Sequence, residues 1–230
     1  MCHASCVIFG ATNISKEDIA GKSVIDIGSH DYNGNFYPLF KHYGPKEFIG
    51  TDMIAGPGVD VVCMAEDIVQ KFGENRFDTV LSSELMEHAR DWRTVISNIK
   101  RVCKLGGIIA LTTRSYGCAY HAFPYDFWRY EIDDMKEIFS DCEILALESD
   151  HQVPGVFIKV KKPLDFKERD LSAIALYSMI DEKRVVAIDT EREKKFYAAG
   201  EKRDRWLGRY KAFEKSLFRL GHRILFPGKA

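Results

Sequence analysis

No run of about 18 apolar residues occurs in this 230-residue chain, which excludes a membrane-crossing helix by length alone. The opening residues, MCHASC, lack the basic and apolar regions of a secretory signal, so export is not expected and the cytoplasm is the default compartment. Cysteine is not arranged as a disulfide framework. Cys2, Cys6, Cys63, Cys103, Cys118 and Cys142 are scattered over the first two-thirds, several in apolar runs where a thiol serves as a small hydrophobe. Cys2, His3 and Cys6 are spaced like metal ligands, but no second cluster supplies the remaining position of a structural zinc, and no metal is expected.

Net charge is also nearly absent, at −1, but it is unevenly distributed. Residues 1–163 carry 17 Lys and Arg against 23 Asp and Glu, whereas residues 164–230 carry 16 against 11. The basic end therefore has a different task, such as docking on an acidic surface. With 46% hydrophobic residues the chain can bury a full core, and its length suits one medium domain plus an extension.

Five apolar segments are continuous in Val, Ile or Leu instead of alternating: SVIDIG (23–28), EFIGTDM (47–53), VDVVCMAED (59–67), FDTVLSSE (77–84) and GGIIALTTRS (106–115). Strands covered on both faces read this way. Between them, NFYPLFKHYG is helix-like up to Gly44 and Pro45. In DWRTVISNIKRVCKLGG, Trp92, Val95, Ile96, Ile99 and Val102 share one helical face, and Gly106–Gly107 is expected to stop the helix. A further helix, DDMKEIFSDC, precedes two last strands, EILALESD and GVFIKVKKP. The alternation predicts an α/β fold with an open, doubly wound sheet that closes near Pro163 and binds ligands at the carboxyl ends of its strands. Domain 1–163 would be followed by a basic helical extension, 164–230. There Trp206, Tyr210, Phe213, Leu217, Leu220 and Ile224 recur every three or four residues, as in an amphipathic helix. That helix would pack on its own domain, pair with a second subunit, or lie on an anionic membrane surface.

Three successive strand ends offer what an adenosine needs. Asp26, Gly28 and Gly34 follow the first strand, where glycine admits close approach to a ligand and the next helix presents free N–H groups. Asp52 ends the second strand, 24 residues after Gly28, and can accept from both ribose hydroxyls. The third loop, MAED, supplies Glu66 and Asp67 for an adenine amino group, with Met53 or Met64 to pack on the ring.

Over residues 21–163 the sequence resembles the small, single-domain class I S-adenosylmethionine-dependent methyltransferases. The resemblance rests on VIDIGS, IGTDM, MAEDI, FDTVLSSELMEHARDW and VCKLGGIIALTT, in that order. It implies a Rossmann-like, seven-stranded sheet with S-adenosylmethionine held by the loops after strands one to four. Asp26 and Gly28 would meet the methionine end, with Ser29 and Gly34 also in the cofactor-binding loop, Asp52 the ribose, and Ala65 with Glu66 or Asp67 the adenine; Ser82, Ser83 and Glu84 would line the methionine side beside the sulfonium. The chain departs from the family's glycine-x-glycine-x-glycine loop, reading Gly28, Ser29, His30, Asp31, Tyr32 with Gly34 displaced, and it has Met64 where an acid often precedes the adenine-loop alanine. A dehydrogenase is disfavoured by the absence of G-x-G-x-x-G.

Any base should sit above the methyl group. His88, in ELMEH, is either that base or a brace for its helix. The segment SYGCAYHAFPYDFWRYEIDDM, inserted after the fifth strand, gathers His121, Tyr125, Asp126, Trp128, Arg129 and Tyr130. It reads as a small-ligand pocket, with His121 as base and Arg129 as anchor for an acidic acceptor, or as a packed loop in which Arg129 pairs with Asp126. PYDFWRY segments are similar to those of methyltransferases associated with cell-surface sugars and other small metabolites, which makes such a metabolite the expected acceptor. A non-catalytic S-adenosylmethionine-binding regulator is the alternative. Nucleic acid is disfavoured by the acidic sheet domain and the lack of an Asn-Pro-Pro-Tyr-like segment.

Overall fold

The computed structural model describes residues 4–32, 34–122 and 124–200. Seven strands form the main sheet: β1 (Ser23–Ile27), β2 (Glu47–Asp52), β3 (Val61–Val62), β4 (Phe77–Ser83), β5 (Cys103–Arg114), β7 (Glu143–Ser149) and β8 (Gly155–Lys161). Their order is β3-β2-β1-β4-β5-β8-β7. Pairs from β3 through β5 are parallel, and β8 runs antiparallel to both of its neighbours. Chain order reverses at β1, so the crevice between the carboxyl ends of β1 and β4 is the switch point where such sheets bind ligands.

Continuous apolar sequence becomes two-sided burial. All five residues of β1 are buried, and six of the seven in β8. On one face lies helix α5 (Trp92–Val102), which buries the expected stripe of Trp92, Val95, Ile96, Ile99 and Val102. Asp91 caps it, accepting from the Thr94 backbone N–H. The other face is covered by α1 (Ala4–Asn13), α2 (Lys16–Ile19) and α3 (Tyr37–Phe40), whose Phe9, Ile19, Phe36 and Phe40 join Val24 and Leu81 in one cluster. Two further helices, α4 (Ile68–Phe72) and α6 (Ile132–Ile138), complete the set. Truncating Ile99, fully buried, to alanine is expected to cost about 2–5 kcal/mol. The urea midpoint checks this, and an unchanged midpoint would mean that α5 does not hold the sheet.

The structure differs from the sequence expectation at several points. Helix α5 stops at Val102 and not at Gly106–Gly107, because the chain enters β5 at Cys103 and pairs with Phe77. Gly106 is instead a left-handed kink within β5, at φ 75°. The third strand shrinks to two paired residues, the rest of VDVVCMAED forming a loop and a short 3-10 turn, Ala65–Asp67. A second sheet was not foreseen: β6 (Trp128–Arg129), β9 (Leu176–Ser178) and β10 (Lys183–Val185) pair antiparallel in the order β10-β9-β6. The compact unit consequently spans Met1–Ala187, beyond Pro163, and a second unit is Ile188–Ala230. Within that second unit residues 190–200 are helical. The amphipathic stretch 206–224, with its expected docking or dimer role, lies outside the described residues, as do Cys2 and His3. Among the described residues, no helix is long and apolar enough to cross a membrane.

Candidate active site

A cavity of about 510 Å³ opens at the switch point. Its walls come from the loops after β1, β2, β3 and β4 and from the insertion that follows β5. Of the residues expected at the cofactor, Gly28, Gly34, Asp52, Met53, Ala65, Glu66, Ser83 and Glu84 line it.

The loop after β1 holds its path by unusual means. Gly28 takes φ 80°, and a Cβ there would press on Leu85 at 3.2 Å. The family's further glycines are replaced by close contact with a second loop: a Cβ on Gly50 would stand 2.0 Å from the Gly58 carbonyl, and one on Gly56 would stand 2.1 Å from His30 Nε2. Ser29 Oγ donates to the Gly58 carbonyl at 2.7 Å, and Asp31 N–H to that of Pro57 at 2.8 Å. Ser29 is thus a buried strut and does not face the cavity.

Asp52, at the end of β2, accepts from Ile54 N–H at 3.0 Å through Oδ1 and from His30 N–H at 3.4 Å through Oδ2. Each oxygen keeps acceptor capacity for a ligand. Around it, Met53, Ile54 and Met64 are 48%, 52% and 43% exposed, an apolar lining for a flat ring. Asn98, on α5, fixes the next loop by donating to the carbonyls of Ala65 (3.3 Å) and Glu66. Asp67 is exposed and off the cavity.

Three of the residues expected at the cofactor are engaged or enclosed within the protein. Ser82 Oγ donates back to the Ile27 carbonyl at 2.7 Å, which ties β4 to β1. Asp26 is buried beside a smaller cavity, and neither carboxylate oxygen completes a hydrogen bond with a described residue. Burial pushes its pKa up to about 7, with the Phe36 backbone N–H opposing and the Asp52 charge adding to the rise. Glu84 does line the cavity, at a left-handed φ of 55°, but it pairs with Arg114 at the end of β5. Burial, then the neighbouring Glu87 charge, raise the Glu84 pKa to about 7.

On the far side, His88 and His121 line the cavity with their rings 5.1 Å apart, edge to face. His88 sits in a 3-10 turn, Met86–His88, and its Nδ1 meets the Tyr125 carbonyl, which leaves Nε2 for another partner. His121 places Nδ1 3.1 Å from Asp126 Oδ2. That hydrogen bond, with one to Cys118, pushes its pKa up to about 10. The Asp126 contact therefore favours the protonated ring, which works against the simple base expected from sequence.

Arg129 is corrected more completely. Its side chain is fully buried, with Nη1 on Asp126 Oδ1 (2.5 Å) and the Trp128 carbonyl (2.8 Å), Nη2 on Asp126 Oδ2 (2.9 Å) and the Ala119 carbonyl (3.0 Å), and Nε on the Cys118 carbonyl (3.1 Å). All five donors are used, so none is left to anchor an acceptor. Asp126, fully buried between Arg129 and His121, has its pKa held well below the carboxylate range by those partners. It supports the loop and does not face the cavity.

Sequence reasoning missed Arg114 and Glu87. Arg114 joins Glu84 to Asp150, and the buried Glu87 accepts from Thr113 Oγ1 at 2.8 Å. An arginine closing an apolar strand and a second acid inside ELMEH were the available signals.

A parallel sheet ending in an inserted antiparallel strand, with an acid-bearing cavity at its switch point, defines the class I methyltransferase fold. Residues 25–111 match the family described as "Methyltransferase domain". No curated protein matches the chain. Among solved structures, an S-adenosylmethionine-dependent methyltransferase from Mesorhizobium loti is 14% identical with a TM-score of 0.54, covering 70% of this chain and 98% of its own. The Burkholderia thailandensis 1,6-didemethyltoxoflavin-N1-methyltransferase, with bound 1,6-didemethyltoxoflavin and S-adenosylhomocysteine, is 14% identical with a TM-score of 0.52, covering 70% of this chain and 76% of its own. A chain from the complex of a Haloferax volcanii methyltransferase with the Trm112 methyltransferase activator is 15% identical with a TM-score of 0.53, covering 67% and 89%. The chain therefore has the class I methyltransferase fold, built around a methyltransferase domain at residues 25–111.

Proposed function

We propose that the protein binds S-adenosylmethionine at the ends of β1–β4 and methylates a small-molecule acceptor held under the insertion after β5, in the cytoplasm where its cysteine usage points. One observation carries this reading. A single cavity of about 510 Å³ joins the Asp52 and methionine-lined half to the half bearing the two histidines. A volume that must hold an adenosine-sized cofactor leaves room only for a small acceptor.

The residues present fit the cofactor. Asp52 keeps free acceptor capacity for two ribose hydroxyls, Met53, Ile54 and Met64 offer exposed apolar surface to adenine, and Gly28 keeps the β1 loop low. When bound, S-adenosylmethionine supplies an activated methyl group with a good leaving group, so the protein mainly aligns. Tyr32 and Tyr125, 58% and 56% exposed, stand at the cavity as flat surfaces for a sugar-like acceptor. His88, its ring fixed by the contact of Nδ1 with the Tyr125 carbonyl, stands at the acceptor end of the cavity.

Titration calorimetry with S-adenosylhomocysteine tests the cofactor half. Asp52→Ala should weaken binding by more than about 100-fold, since two hydrogen bonds to a charged acceptor are worth about 1.5–3 kcal/mol each. Equal affinity in parent and variant, or binding of NAD instead, sinks the assignment.

A further inference from the structure

We propose that Glu87, His88 and His121 form a divalent transition-metal site at the acceptor end of the cavity. One ligand atom from each lies within 4.8 Å of those of the other two. Glu87 is fully buried, and its Oε1 has no hydrogen-bond partner among the described residues although Oε2 is engaged by Thr113. Leaving a buried carboxylate oxygen unpaired is costly, and His88 Nε2 stands 3.7 Å from it.

Both histidines are held as metal ligands usually are. A metal-bound imidazole normally directs its other nitrogen to a carbonyl or a carboxylate, which fixes the ring and strengthens the ligand. His88 Nδ1 is fixed by the Tyr125 carbonyl and His121 Nδ1 by Asp126, so a cation would take Nε2 of each and displace any proton there to solvent. Arg129, by locking Asp126 from behind, is a positioning residue for this arrangement.

Two imidazoles and one carboxylate suit Zn²⁺, Co²⁺, Mn²⁺ or Fe²⁺, and three protein ligands leave positions open. His88 and His121 both line the cavity, so those positions face the space for the acceptor, which rests on the reading above of this half as the acceptor pocket. The ligand class is an oxygen-bearing acceptor: a coordinated hydroxyl becomes more acidic and releases its proton to solvent near neutral pH.

The test uses the full chain, stripped with chelator and titrated with Co²⁺, followed by visible d–d absorption and by Zn²⁺ calorimetry. S-adenosylhomocysteine binding is measured on the same samples. One equivalent of metal is expected, weakened at least tenfold in Glu87→Gln and in His88→Gln, each checked by circular dichroism for an unchanged fold. Glu87→Gln keeps the acceptor for Thr113, and His88→Gln lies in a less buried position should the first variant not fold. Binding of S-adenosylhomocysteine with no metal uptake, or with uptake equal in both folded variants, overturns the metal site and leaves the cofactor reading standing. Metal uptake with the expected losses but no S-adenosylhomocysteine binding supports the site and overturns the cofactor reading alone.

Discussion

Arg129→Met should lower the stability of the protein by about 3–5 kcal/mol, the cost of breaking a buried ion pair by removing one partner. Arg129 and Asp126 are both fully buried, and the variant would leave the carboxylate with His121 alone and strand the carbonyls of Cys118, Ala119 and Trp128. Lysine should not rescue it, because one ammonium cannot supply the bidentate contact and the three carbonyl contacts together. Replacing both partners with apolar residues, as in Asp126→Leu with Arg129→Met, should recover part of the loss, since the uncompensated charge is then gone. Urea unfolding measures all three. A single-variant loss below about 1 kcal/mol would show that water reaches the pair and that the insertion is looser than its contacts indicate.

Asp26 gives the second large effect, and its sign is opposite to that of most carboxylates. Its ordinary value of 3.8 rises to about 7 in the folded protein. Between those pH values the native state retains a proton that the unfolded chain has lost, so stability falls as pH rises from about 4 to 7. The whole effect is on the order of 4 kcal/mol and is absent below the unfolded value. Asp26→Asn should remove this slope and be the more stable protein at pH 8. Glu84 titrates in the same direction, so the difference between the urea midpoints of parent and variant, followed from pH 5 to 8, isolates Asp26. Parallel profiles would mean that Asp26 is solvated.

What was legible in the sequence was what burial dictates. Val24, Ile25, Val80, Leu81, Ile109 and Leu111 are apolar on both faces because helices cover both, and no competing pattern reads that way. The third strand misled because Cys63 and Met64 are apolar as cavity lining and not as sheet core. Strands β6, β9 and β10 are two or three residues long, too short for a strand pattern; β9 and β10 form a local hairpin, and β6 joins them only through pairing some 50 residues apart, which no local signal encodes. At the site, residue type at a strand end was readable but side-chain direction was not. Asp52 faces the cavity, whereas Ser82 and Asp26 point away from it. Arg129 shows the same limit: charge suggested a ligand anchor, while five local partners made it a strut.

Those partners have one more consequence. Every group that Arg129 grips belongs to residues 118–128, and the piece is tied to the remainder over its last four residues: the Tyr125 carbonyl meets His88 Nδ1, Phe127 N–H meets the Glu87 carbonyl, Met179 N–H meets the Phe127 carbonyl, and Trp128 Nε1 donates to the Arg90 carbonyl. Its shape is set from within, while the Asp52 half takes its shape from the sheet. Under the function proposed above, the insertion is accordingly an interchangeable cassette: a different stretch, closed by its own internal clasp and joined at the same seam, would change the acceptor without disturbing the half proposed to hold the methyl donor.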